Sequence, residues 1–234
     1  MEAVAASVIE YGVAFRARAG ESDCGDVHAV IARRDGVLVA AVDGLGHGKE
    51  AAVAAATARC CLRAHAQEPV LALLERCHQS LRPTRGAVMS VASIDASTRS
   101  MTWVGVGNVQ GVLLRRTDGE REHGLLLRSG VVGARHLPLL RAEVLRVSAG
   151  DTLVFATDGI EGDFSRELVS KQPPQRAADS ILAQYGKTTD DALVLVVRYV
   201  GNPGTRRRRS AHLRDRRSRS DGGGRDVAGT ARSR

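Results

Sequence analysis

Apolar residues fall in short runs along most of the chain, and the spacing inside each run predicts what it builds. Val8, Ile9, Tyr11, Val13 and Phe15 mostly alternate with other residues, which predicts a strand within Ser7–Ala19. Val27–Ala32 and Val37–Val42 are continuous apolar runs joined by Arg33-Arg-Asp-Gly36, and the Asp-Gly pair there marks a hairpin. From Lys49 to about Gln67 the alanine content and the absence of Gly or Pro predict a helix. Pro69 opens a second helix, with Leu71, Leu74, Cys77 and Leu81 at helical spacing, which closes near Pro83. Strands return at Ala87–Ile94, Met101–Val106 and Val109–Leu114, with polar turns at 95–100 and Thr117–Glu120. Leu125–Leu127 and Val144–Val147 are shorter strand candidates, and Asp151–Thr157 is a strand that ends at Asp158-Gly159. Pro174 to about Tyr185 reads as a helix and Ala192–Val200 as a final apolar strand.

Hairpin-linked strands with helices inserted in pairs describe an α+β protein with antiparallel sheets and helices packed outside them, not a doubly wound parallel sheet. A chain of 234 residues suits one domain, or at most two small ones. With 43% hydrophobic residues and only 3% aromatic, the core must be built from Val, Leu and Ala. No apolar run reaches the ~18 residues of a membrane span. Glu2 stands where a secretory leader would carry basic residues. Cys24, Cys60, Cys61 and Cys77 show no C-x-x-C spacing, and three of them fall in predicted helices, so buried thiols and a cytoplasmic location are expected.

The formal net charge of +8 is confined to one end. Residues 201–234 hold eleven arginines and three aspartates, which accounts for all of it and leaves residues 1–200 neutral. The expectation is a folded domain over 1–200 and a disordered Arg-rich tail over 201–234, where apolar periodicity stops. The tail could act as an electrostatic arm, but it has no aromatic residue to stack on bases, and a solvated extension without a partner is the favoured reading. The neutral body argues against a nucleic-acid-binding protein.

Candidate chemistry gathers at strand ends. Asp43 follows Ala40-Ala-Val42, Asp158 follows Phe155-Ala-Thr157, Asp190 precedes the strand from Ala192, and Asp26 precedes the strand from Val27. Any one of them could simply start a turn. As a set they predict an all-oxygen pocket whose charge needs cations, and hard divalent ions suit it best. The loop Gly44-Leu-Gly46-His-Gly48-Lys49 is no P-loop, because three residues separate its outer glycines and Glu50 follows the lysine. It also lacks the G-x-G-x-x-G spacing and parallel context of a dinucleotide site. Gly105-Val-Gly107-Asn108 reads as a tight turn. His47, four residues after Asp43, is either a proton carrier or metal ligand, or a residue that caps or pins the loop. No zinc-ligand pair and no Gly-x-Ser-x-Gly elbow is present.

Four motifs come in order: Asp26 after Ser22-Asp-Cys-Gly25, Val42-Asp-Gly-Leu-Gly-His-Gly48 before an alanine-rich helix, Thr157-Asp-Gly-Ile160, and Thr189-Asp-Asp-Ala-Leu193. Over residues 7–200 the chain resembles the metal-dependent (PPM, type 2C) protein serine/threonine phosphatases of the SpoIIE-like branch. Arg85-Gly-Ala-Val-Met-Ser90 and Gly105-Val-Gly-Asn108 are similar to the small RsbX-type members in particular. The resemblance implies an αββα sandwich of two mainly antiparallel sheets, with two divalent cations, Mn²⁺ or Mg²⁺, at one end. It implies that Asp43 bridges both ions, that the carbonyl of Gly44 binds one, that Asp158 and Asp190 hold the other directly or through water, and that Asp26 supports the second. Asp191 ranks below Asp190. Many eukaryotic members have His directly after the Asp-Gly pair, proposed as the acid for the leaving group; here that residue is Leu45, so the role does not transfer to His47 automatically. The implied activity is hydrolysis of phosphoserine or phosphothreonine by a metal-activated water. Its implied substrate is a STAS-domain antagonist or other stressosome component, in a stress-response pathway regulated through partners or expression. The alternative is a non-catalytic pseudophosphatase that binds such a protein, against which the intact Asp43, Asp158 and Asp190 argue.

Overall fold

Strands β2 (Asp26–Arg33) and β3 (Gly36–Gly44) pair in a continuous antiparallel register, with Val30 opposite Val39 and Asp26 opposite Asp43. The structure, a computed structural model, describes residues 8–116, 123–162, 169 and 171–201. The turn expected at Thr117–Glu120 and the tail from residue 202 lie outside them. Strands β4 (Ala87–Asp95), β5 (Ser100–Val106) and β8 (Leu127–Arg128) complete the first sheet in the order β2-β3-β4-β5-β8, and β9 (Glu143–Arg146) also pairs with β5. The second sheet runs β1-β11-β10-β6-β7, from β1 (Ile9–Arg16), β6 (Gln110–Leu114), β7 (His123–Gly124), β10 (Thr152–Ala156) and β11 (Ala192–Tyr199). Among the described residues three helices cover the sheets: α1 (Gly48–Ala64), α2 (Val70–Leu81) and α3 (Pro174–Tyr185).

The layering explains why β3 lacks a polar face. Successive side chains of a strand point to opposite sides. Val37, Val39 and Ala41 face the second sheet, packing with Trp103, Phe155, Leu153, Leu193 and Leu195. Leu38, Ala40 and Val42 face α1 and α2, packing with Ala54, Ala58, Leu62, Leu73 and Leu74. On the second sheet Leu153 and Phe155 look inward, while Val154, Val194 and Val196 look outward onto Ala177, Ala178 and Ile181 of α3. The result is the expected αββα sandwich. Burying a side chain the size of Leu or Phe stabilises by roughly 1.5–3 kcal/mol, and each sheet does so on both faces.

Two details depart from the sequence reading. Leu125–Leu127 is not one strand. The chain pairs with β6 in the second sheet at β7, then crosses, and β8 pairs parallel with β5 in the first. Among the described residues this is the one parallel pairing, and it stands where the chain passes from the second sheet back to the first. Asp43 and Gly44 also belong to β3 itself and do not follow it. Every other expected element is present with ends moved by a few residues at most.

Candidate functional site

By the alternation of β3, Asp43 falls on the inward side, in line with Val37, Val39 and Ala41, at the point where the core ends. Its partner across the strand pair is Asp26, which is almost fully buried. Like charges directly opposite in a sheet repel. Burial first, and then the neighbouring Asp26, Asp158, Asp190 and Asp191, push the Asp43 carboxyl up to about 9. Burial raises Asp26 to about 7, offset in part by a hydrogen bond from Thr157. Asp26 and Asp43 belong to the first sheet, whereas Asp158, Asp190 and Asp191 lie at strand ends of the second.

Thr157 binds the two sheets together. Its hydroxyl donates to Asp26 Oδ2 at 2.7 Å and accepts the Leu193 N–H at 2.8 Å. Asp158 follows it and accepts from Asn108 Nδ2 at 2.7 Å, and its carbonyl accepts from Lys187 Nζ at 3.0 Å. At the start of β11 the Asp190-Asp191 pair divides in role. Asp191 is buried and accepts the backbone N–H groups of Arg18 at 2.9 Å and Gly25 at 2.8 Å, so it ties down the loop that leads into Asp26. Asp190 accepts the Asp191 N–H through Oδ1 and lines the cavity. Of the two acids, Asp190 is thus the one that faces the cavity, while both oxygens of Asp191 are taken by backbone N–H groups.

Close backbone approach fixes the surroundings. A Cβ on Gly44 would stand 2.1 Å from the Ala51 carbonyl oxygen, so the first turns of α1 rest directly on the end of β3. A Cβ on Gly159 would stand 1.9 Å from the Asp191 carbonyl oxygen, which holds the 158 and 190 loops together. His47 is the N-cap residue of α1, but its side chain does not cap; Nδ1 pairs with Glu21 Oε1 at 2.8 Å. Of its two expected roles, this contact is the pinning one, and only Nε2 is left for any exchange with a ligand.

Asp43, Asp158 and Asp190 open on a cavity of about 560 Å³, walled also by Arg18, Leu45, His47, Asn108 and the 129–131 loop. Arg18 makes no ion pair among the described residues. The donors suit hard divalent cations: all are oxygens, and two carboxylates face each other at a cost that only protons or cations relieve. Among the described residues no three His, Cys, Asp or Glu side chains close on one point. Each ion would therefore take one or two carboxylates and complete its shell with the Gly44 carbonyl and water, as suits Mg²⁺, which keeps several waters.

Sequence reasoning missed Arg18, Thr157 and Lys187, and it took Asn108 as a turn residue. Asn108 does sit in a turn, after Gly107 at φ +94°. Its bond to Asp158 spans fifty residues of sequence, and nothing local announces it.

Residues 33–200 match the family described as stage II sporulation protein E (SpoIIE). The chain is 27% identical over 178 residues to the phosphoserine phosphatase RsbX of Bacillus subtilis (strain 168), covering 76% of this chain and 88% of that protein. A solved structure of RsbX in complex with magnesium superposes with a TM-score of 0.73 at 25% identity, over 82% of this chain and 96% of that one. Another, described under the bacterial stressosome as a modular system adapted to control secondary messenger signaling, reaches a TM-score of 0.76 at 30% identity, over 81% of this chain and 99% of that one.

Proposed function

This chain belongs to the SpoIIE family, and from that premise we propose that it is a metal-dependent protein phosphatase acting on phosphoserine and phosphothreonine. The observation that carries the reading is the meeting of Asp43 from one sheet with Asp158 and Asp190 from the other on an open cavity, with Asp26 buried behind, opposite Asp43. Asp43, the Gly44 carbonyl, Asp158, Asp190 and Asp26 would hold two divalent cations, Mn²⁺ or Mg²⁺. When bound, such a pair supplies an acidified water and neutralises phosphoryl oxygens.

The protein's own residues do the positioning. Arg18, on the cavity wall, offers a guanidinium to the phosphoryl oxygens. Asn108 holds Asp158 in one orientation, Thr157 holds Asp26, and Asp191 anchors the backbone on either side of the Glu21 turn. A metal-activated water needs no serine or cysteine nucleophile, and the one serine on the cavity wall, Ser129, has no base hydrogen-bonded to it among the described residues.

The substrate is a phosphorylated regulatory protein, a STAS-domain antagonist or stressosome component, on the strength of the likeness to RsbX and to a stressosome protein. No helix among the described residues is long and apolar enough to cross a membrane, in keeping with such a target. The test is release of phosphate from p-nitrophenyl phosphate and from a phosphorylated STAS-domain protein, with Mn²⁺ and then with EDTA. Metal-dependent turnover of both is expected. Turnover that survives chelation overturns the two-cation reading, and binding of the phosphoprotein without turnover would identify a pseudophosphatase.

A further inference from the structure

The loop from β8 to β9 forms one wall of the cavity and then continues away from it. Ser129, Gly130 and Val131 line the cavity. The loop is then fixed in place. Val132 exchanges both backbone hydrogen bonds with Ala87, at 2.8 and 2.9 Å, and the Gly133 N–H donates to His78 Nδ1 at 3.0 Å. Leu137, Leu140 and Ala142 pack against the core beneath α1 and α2. Pro138 lies against the cavity wall: a Cβ on Gly130 would stand 3.1 Å from Pro138 Cγ. The next residue, Leu139, is 81% exposed, more than any other large apolar side chain described.

Along the loop, the charge on either side of Leu139 is of one sign. Arg135 and Arg141 are exposed and make no ion pair among the described residues, and His136 beside Arg135 is exposed as well. No Asp or Glu occurs between Arg128 and Ala142. The first acid beyond, Glu143, is taken by His123 Nε2 at 2.6 Å. A fixed, unpaired cationic surface around one exposed leucine, joined through Pro138 to the cavity rim, meets the requirements of a recognition surface. An apolar anchor supplies affinity, surrounding charges supply selection, and a rigid backbone keeps the ordering penalty small.

We propose that Arg135–Arg141 is a docking shelf for the substrate protein, taking an acidic segment with an apolar side chain beside its phosphorylated residue. This rests on the phosphatase reading and adds the class of sequence that reading would select.

The experiment uses the full chain with Mn²⁺ and two phosphothreonine peptides that share a leucine and differ only in acidic or lysine flanks. The expected result is a kcat/KM at least about tenfold higher for the acidic peptide. Arg135→Glu/Arg141→Glu reverses that preference, and Leu139→Asp lowers kcat/KM for the acidic peptide, while p-nitrophenyl phosphate turnover stays at the wild-type level in both. Equal turnover of the two peptides by a wild type active on p-nitrophenyl phosphate overturns the shelf alone. A wild type inactive on the peptides and on p-nitrophenyl phosphate defeats the phosphatase reading and the shelf with it. Loss of p-nitrophenyl phosphate turnover in folded shelf variants also overturns the proposal, as does a wild-type dimer that Leu139→Asp dissociates, since the surface would then belong to a second copy.

Discussion

Replacing Asp43 with Asn should make the metal-free protein more stable, and increasingly so as pH rises. In the folded chain the Asp43 carboxyl stands at about 9, against 3.8 for an aspartate free in water. The folded state therefore holds this proton more tightly than the unfolded state. Stability is fully present below pH 3.8 and is lost as pH rises from there toward 9, where the folded carboxyl gives up its proton. Each pH unit in that window is worth about 1.4 kcal/mol, so the ceiling on the loss is ~1.6 kcal/mol at pH 5 and ~6 kcal/mol at pH 8. Asp43 borders a cavity open to water, and relaxation and solvent entry bring the change from pH 5 to pH 8 down to on the order of 2–3 kcal/mol. Asparagine keeps the shape and never ionises. Urea denaturation in EDTA at both pH values, for wild type and Asp43→Asn, reads the difference directly. The variant should be the more stable protein at pH 8, by a margin that shrinks at pH 5. Adding Mn²⁺ should reverse the order, because the wild type alone gains binding free energy. Two parallel curves across pH would refute the reasoning, for Asp43 would then not sit among crowded carboxylates.

Thr157→Val strands the buried Leu193 N–H and removes the bond to Asp26, so it should lower stability by about 1–3 kcal/mol in chemical denaturation and weaken Mn²⁺ binding measured by calorimetry. Asn108→Ala leaves Asp158 free to rotate; a fall in kcat/KM of roughly 10–100-fold is expected with the melting temperature unchanged. Gly44→Ala drives a methyl group against the Ala51 carbonyl and should cost about 1–3 kcal/mol, read as a drop in urea midpoint. Deleting residues 202–234 should leave p-nitrophenyl phosphate turnover at the full-length value, and a large loss would make the tail part of the enzyme.

How much the sequence revealed depended on the range of the interaction. β3 and β11 were legible because the six-residue apolar runs inside them, Val37–Val42 and Ala192–Val197, have few places to go other than the middle of a layered core. Asp43 stood out because a carboxylate directly after such a run is expensive unless paired. Helix α3 was legible from its first residue, because Pro174 opens it, and its end was expected at about Tyr185, where it is found. The crossing at 124–127 was not legible: strands of two residues carry no periodicity, and the choice of sheet depends on β5 and β6. Thr157 stood in a quoted motif, but its role escaped notice for a similar reason. A threonine at the end of a strand is ordinary until the opposite sheet brings Asp26 to its hydroxyl. The Asp190-Asp191 pair lay between these cases, with the motif visible and the division of labour set by Arg18 and Gly25, more than 160 residues away.

The sharing of carboxylates between two sheets has a mechanical consequence. The leaves of the sandwich adhere mainly through apolar contact, which slides and peels at low load. At the cavity end a cation pair would act as a rivet through both leaves, next to the Thr157–Asp26 bond that already crosses the seam. Pulling β1 away from β2 in a single-molecule experiment should therefore give a low rupture force in EDTA and a distinctly higher one in Mn²⁺. The same ions that serve catalysis would clamp the open end of the sandwich.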